Sequence, residues 1–138
     1  MNLFALAANG VLGLLLLASY YYLYLENKDI VNKLWGNIKG NKRKLTIASI
    51  VITAIFYLFT IYYIAFKSDK LDQENIKNIV LYQAILILAS MLWMPLSIKY
   101  LNKQEELTKV GTILILFVVA MSALAIFYNI IKLNDSGK

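Results

Sequence analysis

The stretch ANGVLGLLLLASYYYLYLENK, residues 8–28, decides how the rest of the chain is interpreted, because it suits either a cleaved signal peptide or a permanent membrane helix. A signal peptide needs a basic start, an apolar core of about 7–15 residues and a small-residue cleavage site after that core. Residues 1–6 contain no Lys or Arg, the apolar stretch is longer, and its small residues precede the leucine run. We therefore expect a retained transmembrane helix over residues 2–25.

Three further windows lack charge in the same way, because residues 45–66, 78–98 and 110–131 contain no Asp, Glu, Lys or Arg. An α-helix needs about 20 apolar residues to cross the hydrocarbon core of a bilayer. Helices of a soluble bundle would show charged faces, and this chain is 60% hydrophobic and only 16% charged. The sequence predicts an all-α membrane protein, one domain over residues 1–138, built as a left-handed up-down bundle of four transmembrane helices. The expected helices cover residues 2–25, 45–66, 74–101 and 109–133.

Positive charge is divided unequally between the two ends of the expected helices. Segments 26–44 and 99–109 carry nine Lys and Arg residues, against five on the opposite side. Because basic residues are enriched in cytoplasmic loops, we expect these two segments in the cytoplasm or its equivalent. Both termini and loop 67–77 then lie on the outer side. The net charge of +6 is explained by this topology, and we expect no nucleic-acid partner.

The segment 29–39 has an apolar face within a basic loop. Ile30, Leu34 and Ile38 recur every four residues, with Trp35 beside them, which is a helical period. A short amphipathic helix lying on the membrane surface is one interpretation, and a solvated loop is the other. The basic residues around its end form a surface that would attract anionic lipid headgroups, at about 1 kcal/mol each: Lys39, Lys42, Arg43 and Lys44.

Aromatic residues cluster where the expected helices leave the bilayer. Rings with one polar atom favour the headgroup level, which predicts a belt of interfacial anchors. The alternative is that the tyrosine cluster of residues 20–24 stacks against a ligand. The expected anchors are Tyr20, Tyr21, Tyr22, Tyr24, Trp35, Tyr62 and Tyr63.

Small and hydroxyl-bearing residues recur along the spans at steps of three and four, a period that keeps one stripe facing a neighbouring helix. In lipid, such residues allow close approach and hydrogen bonding between helices. The expected packing stripe contains Thr46, Ser49, Thr53, Ser90, Ser97 and Ser122.

Pro95 in the third span removes one backbone hydrogen bond, and we expect it to kink or unwind the helix, with or without a gating role.

Four amide or hydroxyl side chains are expected near one depth, towards the outer ends of their spans: Asn9, Thr60, Gln83 and Asn129. If they converge, they form a polar pocket or the floor of an outward-opening crevice. The alternative is that they only join helices, at roughly 0.6 kcal/mol for each hydrogen bond.

The four charge-free windows offer little chemistry. The chain contains no His and no Cys, which excludes imidazole and thiolate metal ligands, and proton relays in membranes use buried acids or bases. We therefore expect no enzymatic activity, no metal and no cofactor.

The first functional hypothesis is a subunit or accessory (assembly) factor of a membrane complex, with a membrane-protein partner or self-association. The alternative is a small oligomeric transporter or channel that uses the polar stripes, and a bilayer-active or immunity-type protein is a third possibility.

Overall fold

The computed structural model describes residues 2–35, 38–67 and 72–136, and these residues are almost entirely helical. The four spans predicted from the sequence are all long helices, and each extends beyond its charge-free window. A short helix and a 3₁₀ turn stand between the first two long helices. The described α-helices are α1 Leu3–Glu26, α2 Lys28–Val31, α3 Gly40–Lys67, α4 Gln73–Lys103 and α5 Glu106–Ser136, with the 3₁₀ turn at Asn32–Trp35.

The long helices α1, α3, α4 and α5 are each long and apolar enough to cross a membrane. Their outward surfaces are apolar, since large side chains such as Leu14, Phe56 and Phe117 are exposed along their lengths. A soluble monomer rarely exposes contiguous apolar surface on this scale. The prediction of an all-helical protein with four membrane-spanning segments is therefore confirmed at the level of helix length and composition.

Local capping explains where several helices begin and end. Asn2 precedes α1, and its side-chain oxygen accepts a hydrogen bond from the Ala5 backbone N–H at 3.0 Å. Asp72 does the same for α4, accepting from the Glu74 backbone N–H at 3.1 Å. These contacts satisfy N–H groups that have no partner within a helix. α4 ends at Lys103, and the next residue, Gln104, adopts the left-handed conformation with φ 51°.

Helix α4 is the centre of the arrangement, because α5 packs along it and α1 packs on it as well, whereas α3 packs on α1. We call the end of the helices near Asn2, Lys67 and Leu133 the terminal end, and the opposite end, which carries the basic loop, the basic end. The hydrophobic core lies at the terminal end, where all four long helices contribute to it. Its buried members are Ala5, Ile64, Ile76, Ile79, Val80 and Leu133.

Helix α3 joins the other helices at the terminal end and separates from them towards the basic end. The Asn2 backbone N–H donates to the Ala65 carbonyl at 2.7 Å, next to buried Ile64. Every residue from 47 to 56 is exposed. We call residues 47–56 the free half of α3. The four long helices therefore form a bundle that is closed at one end and open at the other.

The expected packing stripe is divided by this separation. Ser97 and Ser122 are buried, and Ser90 is half-buried. On α3, in contrast, Ser49 and Thr53 are exposed, which differs from the expectation that they face another helix of the bundle. The physical reason is that their hydroxyls find hydrogen-bond acceptors within α3 itself and do not need a neighbouring helix to supply them. The hydroxyls of Thr46, Ser49 and Thr53 donate to the carbonyl four residues earlier, at 3.0, 2.9 and 2.8 Å.

Pro95 does not interrupt α4, whose backbone stays helical from Gln73 to Lys103. The local unwinding expected at this proline is therefore not seen. One turn away, the Tyr20 hydroxyl donates to the Ser90 carbonyl at 2.6 Å. The carbonyl that loses its donor to Pro95 is that of Met91, four residues earlier, so the Tyr20 bond lies next to the interrupted position and joins α1 to α4 there.

The segment between α1 and α3 forms α2 and the 3₁₀ turn, and both contact α4. Its apolar residues Ile30, Val31 and Leu34 are half-buried, whereas Lys28 and Lys33 are exposed. These apolar residues lie on the two elements that contact the basic end of α4. Ile38, the third residue of the predicted period, is exposed and lies outside both elements, so an amphipathic helix over residues 29–39 stays a prediction.

Candidate functional site

The strongest concentration of buried polar groups joins three helices in the terminal half of the bundle. The Asn9 side-chain amide on α1 donates to Gln83 Oε1 on α4 at 3.0 Å. The Tyr57 hydroxyl on α3 donates to Asn9 Oδ1 at 2.6 Å. Asn9 is 4% exposed and Gln83 only 1%, so both amides are removed from solvent and lipid. We call Tyr57, Asn9 and Gln83 the polar triad.

The orientation of the Asn9 amide is determined by its own helix. Asn9 Nδ2 also donates to the Ala5 carbonyl at 2.9 Å, and a carbonyl oxygen can only accept. A flipped Asn9 amide would place oxygen against oxygen there. Asn9 Oδ1 must therefore face Tyr57, and Gln83 must turn its oxygen towards Asn9.

This arrangement leaves the other end of Gln83 unsatisfied. Gln83 Nε2 is buried and has no hydrogen-bond partner. A buried polar group without a partner costs about 1–3 kcal/mol, and such groups are few in native proteins. The site can therefore offer two N–H donors to a hydrogen-bond acceptor.

The structure joins two of the four residues predicted to converge and leaves the other two apart. Asn9 and Gln83 bond directly. The Thr60 hydroxyl instead donates to the Phe56 carbonyl at 3.0 Å, and the Asn129 amide donates to the Ala125 carbonyl at 2.8 Å. Both bonds stay within one helix, because Thr and Asn can reach the carbonyl one turn earlier. Whether the four residues act as a pocket stays a prediction.

Tyr57 is the member of the triad that the predicted set of four omits. It lies four residues after Thr53 and three before Thr60, so it belongs to the same stripe of α3. Its long ring carries the hydroxyl across to α1, whereas the short Thr60 side chain bonds within α3. Stripe position combined with side-chain reach was the signal that could have identified it.

A separate cleft of about 460 Å³ lies between α3 and α5 at the terminal end. Thr60 belongs to its wall, whereas Asn9, Gln83 and Asn129 do not line it. The cleft and the polar triad are therefore different features. The cleft is lined by Phe56, Phe59, Thr60, Tyr63, Ile64, Ile130, Ile131 and Leu133.

The tyrosines expected to act as interfacial anchors have different environments. Tyr21 and Tyr24 are exposed, as is Tyr22, whose hydroxyl bonds to Glu26 at 2.6 Å. Tyr20 is half-buried and bonds to α4. At the terminal end, Tyr62 and Tyr63 are exposed, with the Tyr62 ring 4.9 Å from that of Phe66. The side chain of Trp35 lies outside the described part of the chain.

The basic surface lies at the start of α3. Lys39, Lys42 and Lys44 are exposed, and Arg43 is half-buried with an interaction partner. The first turn of α3 contains no acidic residue. Positive side chains at the positive end of a helix dipole repel it, so an anion at this position would offset unfavourable charge.

Among the residues that the structure describes, no three His, Cys, Asp or Glu side chains are grouped so that they could hold a metal ion. The fold and the buried triad define a helical protein with four segments of membrane-spanning length. The sequence matches no protein-family model, and neither a curated protein nor a solved structure shows significant similarity to it.

Proposed function

We propose that this protein is a non-enzymatic integral membrane protein that acts as a subunit or accessory factor of a membrane complex. The observation that carries the proposal is the free half of α3. Over residues 47–56 every side chain of this helix is exposed, although the helix has 28 residues and is long enough to span a membrane. Small and hydroxyl-bearing side chains on this half allow another helix to approach closely.

The geometry of α3 favours a partner helix beside the free half. Thr53 lies four residues before Tyr57, which faces α1, so the two share a side of the helix. Thr53 is therefore directed towards the opening that separates α3 from the bundle. Its hydroxyl is already bonded within α3, so close packing requires no new hydrogen bond and leaves no polar group unpaired.

The proposed topology is a left-handed up-down bundle. Its support is the order of contacts: Asn9 meets Gln83 and Tyr20 meets Ser90, so α1 and α4 run in the same direction. The backbone bond between the start of α1 and the end of α3 gives these two helices opposite directions. The positive-inside bias further supports a cytoplasmic basic end, with both termini outside.

In this orientation, segment 29–39 and the basic surface would meet the cytoplasmic leaflet. We propose that α2 and the turn after it act as a short amphipathic anchor. Lys39, Lys42, Arg43 and Lys44 would then contact anionic headgroups, which offset their repulsion from the start of α3.

A cysteine scan tests the proposed partner, because the chain has no native Cys. With Thr53→Cys in the free half, we expect a bifunctional maleimide to yield a specific higher-mass adduct in native membranes. Leu14→Cys, at an exposed position of α1, is the matched control and should yield none. Equal crosslinking of both variants, or only monomer by native mass measurement in mild detergent, would contradict the proposal.

The alternative is a small oligomeric transporter or channel, and the specific observation in its favour is the unpaired donor Gln83 Nε2. A passing solute with an acceptor atom would satisfy that donor. This hypothesis predicts that Gln83→Leu and Asn9→Leu each abolish a flux into liposomes while the helical content is retained. A flux that survives both substitutions would rule out a path through the polar triad.

A further inference from the structure

We propose that the cleft between α3 and α5 binds an acyl chain of an anionic phospholipid, with the lipid phosphate held by Lys67. The inference is independent of the proposed role as a subunit. It rests on the lining of the cleft, its size and the position of Lys67.

The lining of the cleft suits an apolar occupant. Six of its eight residues are Phe, Ile or Leu. The Thr60 hydroxyl is bonded to the Phe56 carbonyl, so it presents no unmet hydrogen-bonding group to the cleft. The Tyr63 ring contributes apolar surface, and 51% of this residue is exposed, so its hydroxyl can reach the membrane interface.

The cleft lies between two helices of membrane-spanning length. Phe56 and Phe59 on its α3 wall are 68% and 66% exposed. Across a bilayer, the medium at such positions is lipid acyl chain. An acyl chain can therefore enter from the side without any opening of the bundle.

The extent of the cleft suits a single acyl chain. Its α3 wall runs from Phe56 to Tyr63, about 10 Å at 1.5 Å per residue, and its volume is about 460 Å³. Buried Ile64 and Leu133 belong to the core of the bundle, so the inner wall cannot retreat without loss of packing.

In this proposal the positive charge of Lys67, at the mouth of the cleft, favours a lipid with an anionic headgroup. Lys67 follows Tyr63 by four residues and Thr60 by seven, so it continues the cleft-facing stripe of α3 at the terminal end. It is exposed, and α3 contains no acidic residue. A phosphate at this position would meet the ammonium group while the acyl chain lies along the aromatic wall.

The test measures lipid retention by the full chain, purified in mild detergent and supplied with phosphatidylglycerol and phosphatidylcholine of identical acyl chains. Native mass spectrometry should show one retained lipid with a preference for phosphatidylglycerol. Lys67→Gln should lower this preference about fivefold, which corresponds to the contribution of one basic residue near anionic lipid. Lys103→Gln, an exposed lysine at the opposite end, is the matched control and should leave the preference unchanged.

A second variant tests the cleft itself. Ile130→Trp fills the cleft and should lower retention of both lipids, and circular dichroism establishes that the variant is folded. If Ile130→Trp does not fold, the lipid preference of the surface variant Lys67→Gln tests the proposal by itself. Three results would overturn the proposal: no retained lipid, a preference that Lys67→Gln leaves intact, or a dimer that Ile130→Trp converts to monomer, since the cleft would then hold a second copy.

Discussion

Asn9 is the residue on which the buried polar network depends. It donates to Gln83 and to its own helix, and it accepts from Tyr57, so one amide joins three helices. Asn9→Leu would leave the Tyr57 hydroxyl and Gln83 Oε1 without these partners, next to Gln83 Nε2, which is already unpaired. We expect a loss of about 1–3 kcal/mol in the free energy of unfolding, because buried groups are left unpaired. Reversible unfolding in mixed detergent micelles would measure it.

Gln83→Leu is the matched comparison, and we expect a smaller effect. This change removes the unpaired Nε2 donor, while Asn9 Nδ2 keeps its bond to the Ala5 carbonyl. The lost helix–helix bond is worth roughly 0.6 kcal/mol in a membrane, and removal of the unpaired donor offsets it. If Gln83→Leu destabilises the protein as much as Asn9→Leu, then Gln83 Nε2 has a partner, such as bound water.

Tyr57 provides an independent test of the same network. Tyr57→Phe keeps the ring and removes only the hydroxyl that reaches Asn9. We expect a loss of about 0.6 kcal/mol or somewhat more in the free energy of unfolding, since Asn9 Oδ1 loses its donor. Tyr62→Phe, at an exposed position on the same helix, should change it little. Equal effects would mean that the triad contributes nothing measurable to stability.

Among the elements, α3 begins with a glycine in a left-handed conformation and ends in the buried core. Gly40 begins the helix with φ 57°, a conformation that side chains with a Cβ rarely adopt. No atom lies within 4 Å of a Cβ added there, so a substitution would be penalised by backbone strain alone. We expect Gly40→Ala to lower the free energy of unfolding by about 1 kcal/mol, or to shorten α3 at this end.

Gly13→Ala is the control for this prediction. Gly13 lies inside α1, and a Cβ added there also meets no atom within 4 Å. Since Ala is favoured over Gly in a helix interior by about 1 kcal/mol, this change should stabilise the protein or leave it unaltered. Opposite signs for the two variants in one unfolding assay would support the prediction. A gain for Gly40→Ala would contradict it.

At the scale of the whole molecule, the bundle is closed at the terminal end and open at the basic end. Core residues from four helices, the polar triad and the Asn2–Ala65 backbone bond all lie in the terminal half. The free half of α3 lies beyond the polar triad, towards the basic end, and only Phe56 at its edge also lines the cleft. Partner binding there would therefore leave the core in place.

The proposed sidedness can be measured by labelling single cysteines. Cysteine at Ser68 or Ser136 should react with an impermeant maleimide from outside intact cells, because fewer basic residues lie on that side. Cysteine at Asn41 should react only after permeabilisation. The reverse pattern would invert the orientation, and unequal labelling of the two outer positions would contradict an even number of spans.

The sequence alone determined the helical class and the number of spans. Four charge-free windows each longer than about 20 residues permit few other arrangements in a chain of 138 residues. The predicted boundaries were less accurate, because a helix does not end where its apolar window ends. α3 was expected from residue 45 but begins at Gly40, and its backbone is helical through Lys42 and Lys44.

The tertiary structure decided which polar residues meet. The sequence predicts a similar depth for Asn9, Thr60, Gln83 and Asn129, yet Asn9 and Gln83 bond to each other while Thr60 and Asn129 bond to their own helices. A side chain that can bond either to the preceding turn or to a neighbouring helix has two solutions of similar energy. Only the approach and rotation of the neighbouring helix select between them, and these depend on the packing of all four helices together.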